Sequence, residues 1–486
     1  MKTPFAKNFT RRSFLKTSAL AAGALSLPAR SWAQVPGANQ DIRMAVVGFH
    51  GRGKDHIGEW SKMAGVRLTA LCDVDRAVLD AGVAQCEKKG LTVEGFTDIR
   101  KLLASGNVDA ISIAAPNHWH ALASVWAMQN GKDVYVEKPV SYDIWEGQQM
   151  MEAARRYKKI VQAGTQSRSS LGIKQAVEWV QQGHLGKILV AHALCYKRRP
   201  SIGKTDGPQP VPRTIDYDLW CGPAPLRPPR RARLHYDWHW FWDYGAGDLG
   251  NQGVHEMDVA RWFLGEGFVA PKTLSVGGRL GYVDDAETPN TLIAFHNYYN
   301  APLIMEVRGL PEKAGSEEMD KYKGASIGIV VQCEGGYVTV KDYKSATAYD
   351  KDGKEVHSFT GASNHFENFI DAVRSRNENE LHASILEGHR STALCHTANI
   401  SYRLGRTQPC EAMREQIKSD KEAAATFDRM VEHLAANGVD LTRTPATLGA
   451  HLTVNPATEE FVKNKAANHL RRRVPREGFA IKVAEA

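Results

Sequence analysis

The short apolar run Arg43–Val47 (RMAVV) breaks at Gly48-Phe49-His50-Gly51-Arg52-Gly53 and runs on into a helix-like stretch. A buried strand, a glycine turn and a helix in that order make the first half of a βαβ unit. The dinucleotide fingerprint built on that unit wants glycine at its first, third and sixth positions. Gly48 and Gly53 fit the first and last, while His50 holds the third position and the middle glycine is displaced to Gly51. Such a loop lets backbone N–H groups approach a pyrophosphate, which makes Gly48, His50, Gly51, Arg52 and Gly53 candidate cofactor residues. The second strand, Val66–Cys72 (VRLTALC), ends at Asp73, 25 positions beyond Gly48. A carboxylate there accepts hydrogen bonds from ribose hydroxyls and repels a 2′-phosphate, which favours NAD over NADP.

Strand and helix patterns continue to alternate. Ala110–Ala114, Asp133–Val136 and Ile160–Ala163 read as further strands, separated by helical stretches such as His120–Asn130 and Ile144–Tyr157. This predicts an α/β, doubly wound parallel sheet over residues 41–165. The pattern changes after about residue 165. Lys187–Tyr196, Thr273–Leu280, Thr291–Phe295, Pro302–Val307 and Ala325–Cys333 read as longer strands, with hairpin signals at Gly335-Gly336 and Asp352-Gly353. A second, α+β domain with an open, largely antiparallel sheet is expected over 166–410. His365–Gly405 reads as helical, and a polar, helix-rich extension follows over 411–486.

Two further clusters carry chemistry. Pro116-Asn117-His118-Trp119-His120 follows the Ala110–Ala114 strand, and Val134-Tyr135-Val136-Glu137-Lys138-Pro139 ends the next one. The strand closing in Glu-Lys-Pro, about 90 residues after the glycine loop, resembles the hallmark of the Gfo/Idh/MocA oxidoreductases. The resemblance covers roughly residues 42–406. It implies a Rossmann domain followed by an α+β domain, NAD as cofactor and a sugar-like or polyol substrate. It also implies that Lys138 sits between nicotinamide and substrate, bonded to the reacting hydroxyl, where a cation stabilises developing alkoxide. Pro116, Asn117, His120 and Glu137 are its further cofactor-side candidates, and Gln166 is one by its position at the end of the last Rossmann strand.

The resemblance extends to Gly250-Asn251-Gln252-Gly253-Val254-His255-Glu256-Met257-Asp258, with one departure. Family dehydrogenases usually place Asp four residues before the histidine, on one helix face. His255 matches the histidine, but Asn251 stands at the acidic position. An amide orients substrate yet takes no proton at neutral pH. Lys138 and His255 are therefore the catalytic candidates, and Asn251 a substrate-binding one. Upstream, His235-Tyr236-Asp237-Trp238-His239-Trp240 offers rings to stack on sugar C–H faces. His235, Tyr236, Trp238 and, at the end of the last Rossmann strand, Arg168 complete the substrate candidates.

Two enzymatic readings follow from the resemblance. The first is oxidation of a secondary hydroxyl on a sugar, glycoside or inositol-like polyol, with hydride passing to tightly bound NAD. The second is an NAD-dependent glycosidase working by transient oxidation and elimination, which the missing acid and an exported chain favour.

The charge balance needs care. The chain carries a net +8, but six of those charges (Lys2, Lys7, Arg11, Arg12, Lys16, Arg30) fall within the first 33 residues, which contain no acid. Thr10-Arg11-Arg12-Ser13-Phe14-Leu15-Lys16, the apolar run Ala19–Leu27 and Ser31-Trp32-Ala33 resemble a twin-arginine export signal with its cleavage site. The apolar run is far short of the roughly 20 residues that cross a bilayer. A periplasmic protein without stable membrane insertion is expected. The remainder is near neutral, so the charge does not argue for nucleic acid. The Arg227–Arg233 and Arg471–Arg473 runs read as solvated. Seven cysteines without a C-x-x-C pair form neither a disulfide framework nor a zinc motif, and no metal site is expected. Open sheet faces commonly build dimers or tetramers in this family, so a homodimer or homotetramer is expected.

Overall fold

The computed structural model describes residues 41–231 and 233–483. The export-signal segment 1–33 lies outside them. The first domain runs β1 (Ile42–Val47), α1 (Gly53–Trp60), β2 (Val66–Cys72), α2 (Arg76–Lys88), β3 (Glu94–Phe96), α3 (Ile99–Ala104), β4 (Ala110–Ile113), α4 (Asn117–Gln129), β5 (Asp133–Val136), α5 (Ile144–Tyr157) and β6 (Val161–Ala163). Its six strands pair in parallel in the order β3-β2-β1-β4-β5-β6. The order reverses between β1 and β4, which opens a crevice at their carboxyl ends. Both faces are covered, which explains the nearly unbroken apolar runs. Ala45, Val47, Ile111, Ile113, Val134 and Val136 share one core with α3–α5, while Met44, Val46, Ala110 and Tyr135 belong to the other.

The second domain contains α6 (Leu171–Gln181), β7 (Ile188–Tyr196), α7 (Tyr217–Cys221), α8 (Val254–Leu264), β8 (Lys272–Gly278), β9 (Thr291–Asn297), β10 (Leu303–Arg308), β11 (Ile327–Cys333), β12 (Gly336–Val340), β13 (Ala346–Asp350) and β14 (Glu355–Phe359). The chain continues through α9 (His365–Ser375), α10 (Ile385–Arg403), β15 (Arg406–Thr407), α11 (Cys410–Ile417), α12 (Lys421–Ala436), β16 (Thr447–Leu448), β17 (Leu452–Thr453) and α13 (Lys465–Leu470). Eleven strands form one sheet, with path order β14-β13-β12-β11-β7-β10-β9-β8-β16-β15 and β17 beside β8. Every pair is antiparallel except β7 with β10. Alternation along the strands divides the faces. Ala191, Ala193, Leu303 and Met305 lie in the core with α6, α8 and α10, whereas Val190, Leu274, Val276, Ile293 and Ile304 lie in the core with α11 and α12.

Two segments pack across the expected division of the chain. Helix α9 was placed in the second domain, but its Phe366, Phe369 and Ile370 complete the first domain's core against Met44, Val46 and Tyr135. The extension after 410 has its helices, yet it is not a separate layer. It contributes two strands to the large sheet, and its last residues cross to the first domain, where Phe479 and Ile481 join the core around Trp119 and Ala123.

Candidate active site

A cavity of about 300 Å³ opens at the switch point, lined from the first domain by Gly48, His50, Gly51, Arg52, Asp73, Val74, Thr97, Asp98, Ala115, Pro116 and Trp119. Gly48 has φ +76°, and a Cβ there would lie 2.6 Å from the Ala115 Cα, so only glycine lets the loop touch the segment after β4. At Gly53 a Cβ would lie 2.2 Å from the Gly48 carbonyl oxygen, so this glycine seats the helix on the loop and does not line the cavity. Gly51 behaves oppositely. A Cβ there meets nothing within 4 Å and would project beside the cavity, leaving the backbone open to a bound phosphate.

Asp73 closes the other side. One carboxylate oxygen accepts the Phe49 N–H and the other the Asp75 N–H, both at 3.0 Å. Burial pushes its pKa up against these two hydrogen bonds. Each oxygen keeps acceptor capacity for a ribose hydroxyl. Asp75 and Asp98 cap α2 and α3 by accepting from Ala77 and Arg100 N–H groups, which shapes the loops of the adenosine end. The cradle therefore fits a dinucleotide without 2′-phosphate.

The aromatic segment of the second domain forms the lid. Leu234, His235, Tyr236, Trp238 and His239 line the cavity together with Leu219 and Trp220 of α7. His235 stacks on His50 at 3.9 Å between ring centroids, and its Nε2 lies 2.9 Å from an Asp75 oxygen. Backbone bonds from Arg76 to Thr214 and from Asp216 to Val74 pin the same long segment across the mouth. Trp238 stacks on His239. The substrate candidates His235, Tyr236 and Trp238 thus stand on the cofactor cavity itself.

Beyond the cavity the helix bearing His255 begins irregularly. Leu249–Gly253 form a π turn that runs into α8. Such turns shift the backbone ladder and recur at functional sites. Lys138 Nζ donates to the Asn251 carbonyl at 2.5 Å, which ties the Glu-Lys-Pro loop to that turn. Gly250 permits the approach, because a Cβ there would lie 3.2 Å from Pro139. Asn251 lines the cavity. His255 is buried, and its Nδ1 has no hydrogen-bond partner among the described residues. Burial, reinforced by the Lys138 charge, holds its pKa well below the usual value, so the imidazole is neutral. Desolvation likewise lowers Lys138.

Several predicted cofactor residues support the site from behind and do not line the cavity. Glu137 is buried and takes His56 Nε2 and Arg52 Nε, both at 3.0 Å, and these partners hold it ionised despite burial. Gln166 donates to Tyr135 Oη and to Glu137. His120 bridges the Pro139 and Ala115 carbonyls, which joins the two loops. Asn117 is buried in the first turn of α4. Arg168 is a correction. Its guanidinium is captured by buried Asp258 and by Glu387, 2.8 and 3.0 Å away, beneath Trp262, so it joins α8 to α10 and does not face the cavity. A buried cation needs such partners, and this one is committed to an ion pair between the two helices.

The sequence reading missed Val74, Thr97, Asp98, Trp119 and Trp220 as lining residues. The signal for Thr97 and Asp98 was weak because β3 is a three-residue edge strand with two exposed positions. Trp119 was readable beside Pro116, as the next turn of the same helix.

Residues 42–165 match the model described as an oxidoreductase family, NAD-binding Rossmann fold, and residues 171–315 match that family's C-terminal alpha/beta domain. The chain belongs to the Gfo/Idh/MocA oxidoreductase family. NAD is its cofactor, supplying a hydride acceptor when bound. Among curated relatives, a glycosyl hydrolase family 109 protein of Shewanella sp. (strain W3-18-1) is 30% identical over 31% of this chain and 34% of its own length. An alpha-N-acetylgalactosaminidase of Shewanella oneidensis is 28% identical over 38% of this chain and 46% of its own. The chain therefore spans less than half the length of these curated relatives. Among solved structures, the WlbA dehydrogenase of Bordetella pertussis, in complex with NADH and UDP-GlcNAcA, superposes with a TM-score of 0.56 at 20% identity, covering 75% of this chain and 97% of that one. A levoglucosan dehydrogenase in complex with NADH and levoglucosan gives 0.56 at 15% identity, covering 74% and 95%. These likenesses establish the fold.

Proposed function

We propose that this chain is an exported, NAD(H)-dependent oxidoreductase that oxidises a secondary hydroxyl of a sugar, glycoside or inositol-like polyol. The observation that carries the reading is the meeting of Lys138, Asn251 and buried His255 beside the nucleotide cavity, where the two domains join. Lys138 binds the reacting oxygen and stabilises its developing negative charge. The neutral imidazole of His255, with Nδ1 unpartnered, accepts the hydroxyl proton. Asn251 orients the substrate, and the lid from His235 to His239 excludes water. The structural neighbours solved with NADH and a sugar ligand support the substrate class. Twin-arginine export, which carries folded proteins, would let the chain leave the cytoplasm with NAD already enclosed. A homodimer or homotetramer is the proposed assembly.

A second reading is redox-assisted glycoside cleavage, in which transient oxidation acidifies a neighbouring C–H, the aglycone leaves by elimination with a proton from solvent, water adds in its place and the hydride returns to the carbonyl. The names of the curated relatives and the amide at position 251 favour it. Proton NMR of the mature holoprotein with a glycoside panel in D2O separates the two. A ketosugar with its aglycone intact supports oxidation. Free sugar deuterated beside the oxidised carbon supports cleavage, and an unchanged panel refutes both.

A further inference from the structure

We infer that Tyr343, in the turn between β12 and β13, is a substrate-contacting residue. Its hydroxyl donates a hydrogen bond to a sugar oxygen near the reacting carbon, and Gln252 holds it there. The inference rests on the functional reading above and names a specificity residue within that site.

The hydrogen-bond chain fixes the direction of every proton. Lys197 Nζ donates to Gln252 Oε1 at 2.9 Å. An ammonium can only donate, so the amide oxygen of Gln252 must face Lys197 and its NH₂ must face the other way. That NH₂ donates to Glu256 Oε1 and to Tyr343 Oη, both at 2.9 Å. Tyr343 Oη is therefore an acceptor toward Gln252, and its own O–H is left over. No acceptor for that proton is found among the described residues.

The location suits a substrate contact. The Tyr343 ring stands edge-on to His255, with centroids 5.4 Å apart and planes at 79°. Burial pushes its phenol pKa up, against the hydrogen bond from Gln252, so the hydroxyl keeps its proton for donation. It is nevertheless 43% exposed, unlike the buried His255 and Glu256 beside it. An exposed phenol anchored at its oxygen and leaning on a candidate base is placed to read a hydroxyl. Glu256 completes the anchor. Its Oε2 has no hydrogen-bond partner among the described residues, and burial keeps the group protonated at neutral pH, so the array carries no anion to compete for the tyrosine proton.

The test compares wild-type holoenzyme with Tyr343→Phe on methyl glycosides of glucose, galactose and N-acetylgalactosamine, and on monodeoxy analogues of whichever is oxidised. Tyr343→Phe should lower kcat/KM by about 10- to 100-fold, with bound NAD and Tm unchanged. One deoxy analogue should impose the same loss on the wild type and no further loss on Tyr343→Phe, which identifies the hydroxyl it reads. Gln252→Met should shift kcat/KM in the same direction. The inference is overturned if Tyr343→Phe stays within twofold of wild type, or if its loss persists undiminished on every deoxy analogue. A wild type that neither binds nor oxidises any of the glycosides refutes the functional reading, before a variant is compared.

Discussion

Gly51→Ala should strengthen the fold and weaken the cofactor, an opposition that few substitutions in a binding loop would produce. Gly51 has no left-handed backbone, and its added Cβ meets nothing within 4 Å. The change therefore restricts mainly the unfolded chain and should stabilise NAD-free protein by about 0.5–1 kcal/mol. Because Gly51 lines the cavity, the same methyl group is expected to crowd a pyrophosphate bound there. A hydrogen bond to a charged group contributes about 1.5–3 kcal/mol, so losing one weakens NAD binding by roughly 10- to 100-fold. Urea unfolding of stripped protein reads the first effect, and titration calorimetry with NAD reads the second. Gly48→Ala is the contrast, because its φ of +76° and the Ala115 backbone at 2.6 Å should cost both folding and binding. Unchanged NAD affinity in Gly51→Ala would refute the cradle as a pyrophosphate site.

Further outcomes follow from the same geometry. Lys138→Met should cut turnover by about 10²- to 10³-fold while NAD still binds, measured by single-turnover absorbance at the NADH band, and retained turnover would remove Lys138 from the chemistry. Glu256 is pushed by burial from an ordinary 4.5 up to about 8. The folded protein thus keeps a proton that the unfolded chain releases, and the stability tied to this group is complete below pH 4.5 and lost as pH rises to about 8. Glu256→Gln should therefore gain stability relative to wild type across that window and no more above it, and a difference that ignores pH in urea unfolding would contradict the neutral acid. Phe427→Ala, at a fully buried position of α12, should cost about 3–5 kcal/mol by the same method.

Much of the first domain was legible because its signals are local. Val66–Cys72, Asp133–Val136 and Ile144–Tyr157 appear in the structure with those bounds, since a strand buried on both faces and a capped amphipathic helix each announce themselves within a few residues. The glycine loop was legible too, but the separate duties of its glycines were not. That Gly48 meets Ala115 while Gly51 meets open space depends on the segment after β4, 67 residues beyond Gly48. Arg168 shows the same limit. Nothing beside it in the sequence reveals that Asp258 and Glu387 will enclose it, because that pairing arises only when α8 and α10 pack together. His56 was missed for a like reason: it looks like a polar residue on the first helix, yet it is fully buried between Ser112 and Glu137.

The extension after residue 410 changes what an open sheet means in this chain. Dimer or tetramer formation was expected from an exposed sheet face, and that expectation requires apolar strand residues facing water. Val190, Leu274, Val276, Ile293, Phe295 and Ile304 are instead buried with Met413, Phe427, Met430 and Leu434 of the extension. The contact is directed as well as apolar. Arg429 of α12 donates to Glu306 of β10, and Glu422 pairs with His192 of β7. Buried ionic groups of this kind penalise any docking that leaves a charge unpaired, which favours one register of the helix on the sheet. An intermolecular interface on β7–β10 would first have to remove this layer and leave those charges without partners. Any assembly would have to use other surfaces, such as β14, where four of five residues are exposed. The same extension continues past α13 to place Arg476 on the Gly222 carbonyl and Phe479 against Trp119, at the wall of the nucleotide cavity. One segment thus closes the sheet of the second domain and braces the cofactor site of the first, so sheet cover and cofactor retention should be lost together when it is loosened.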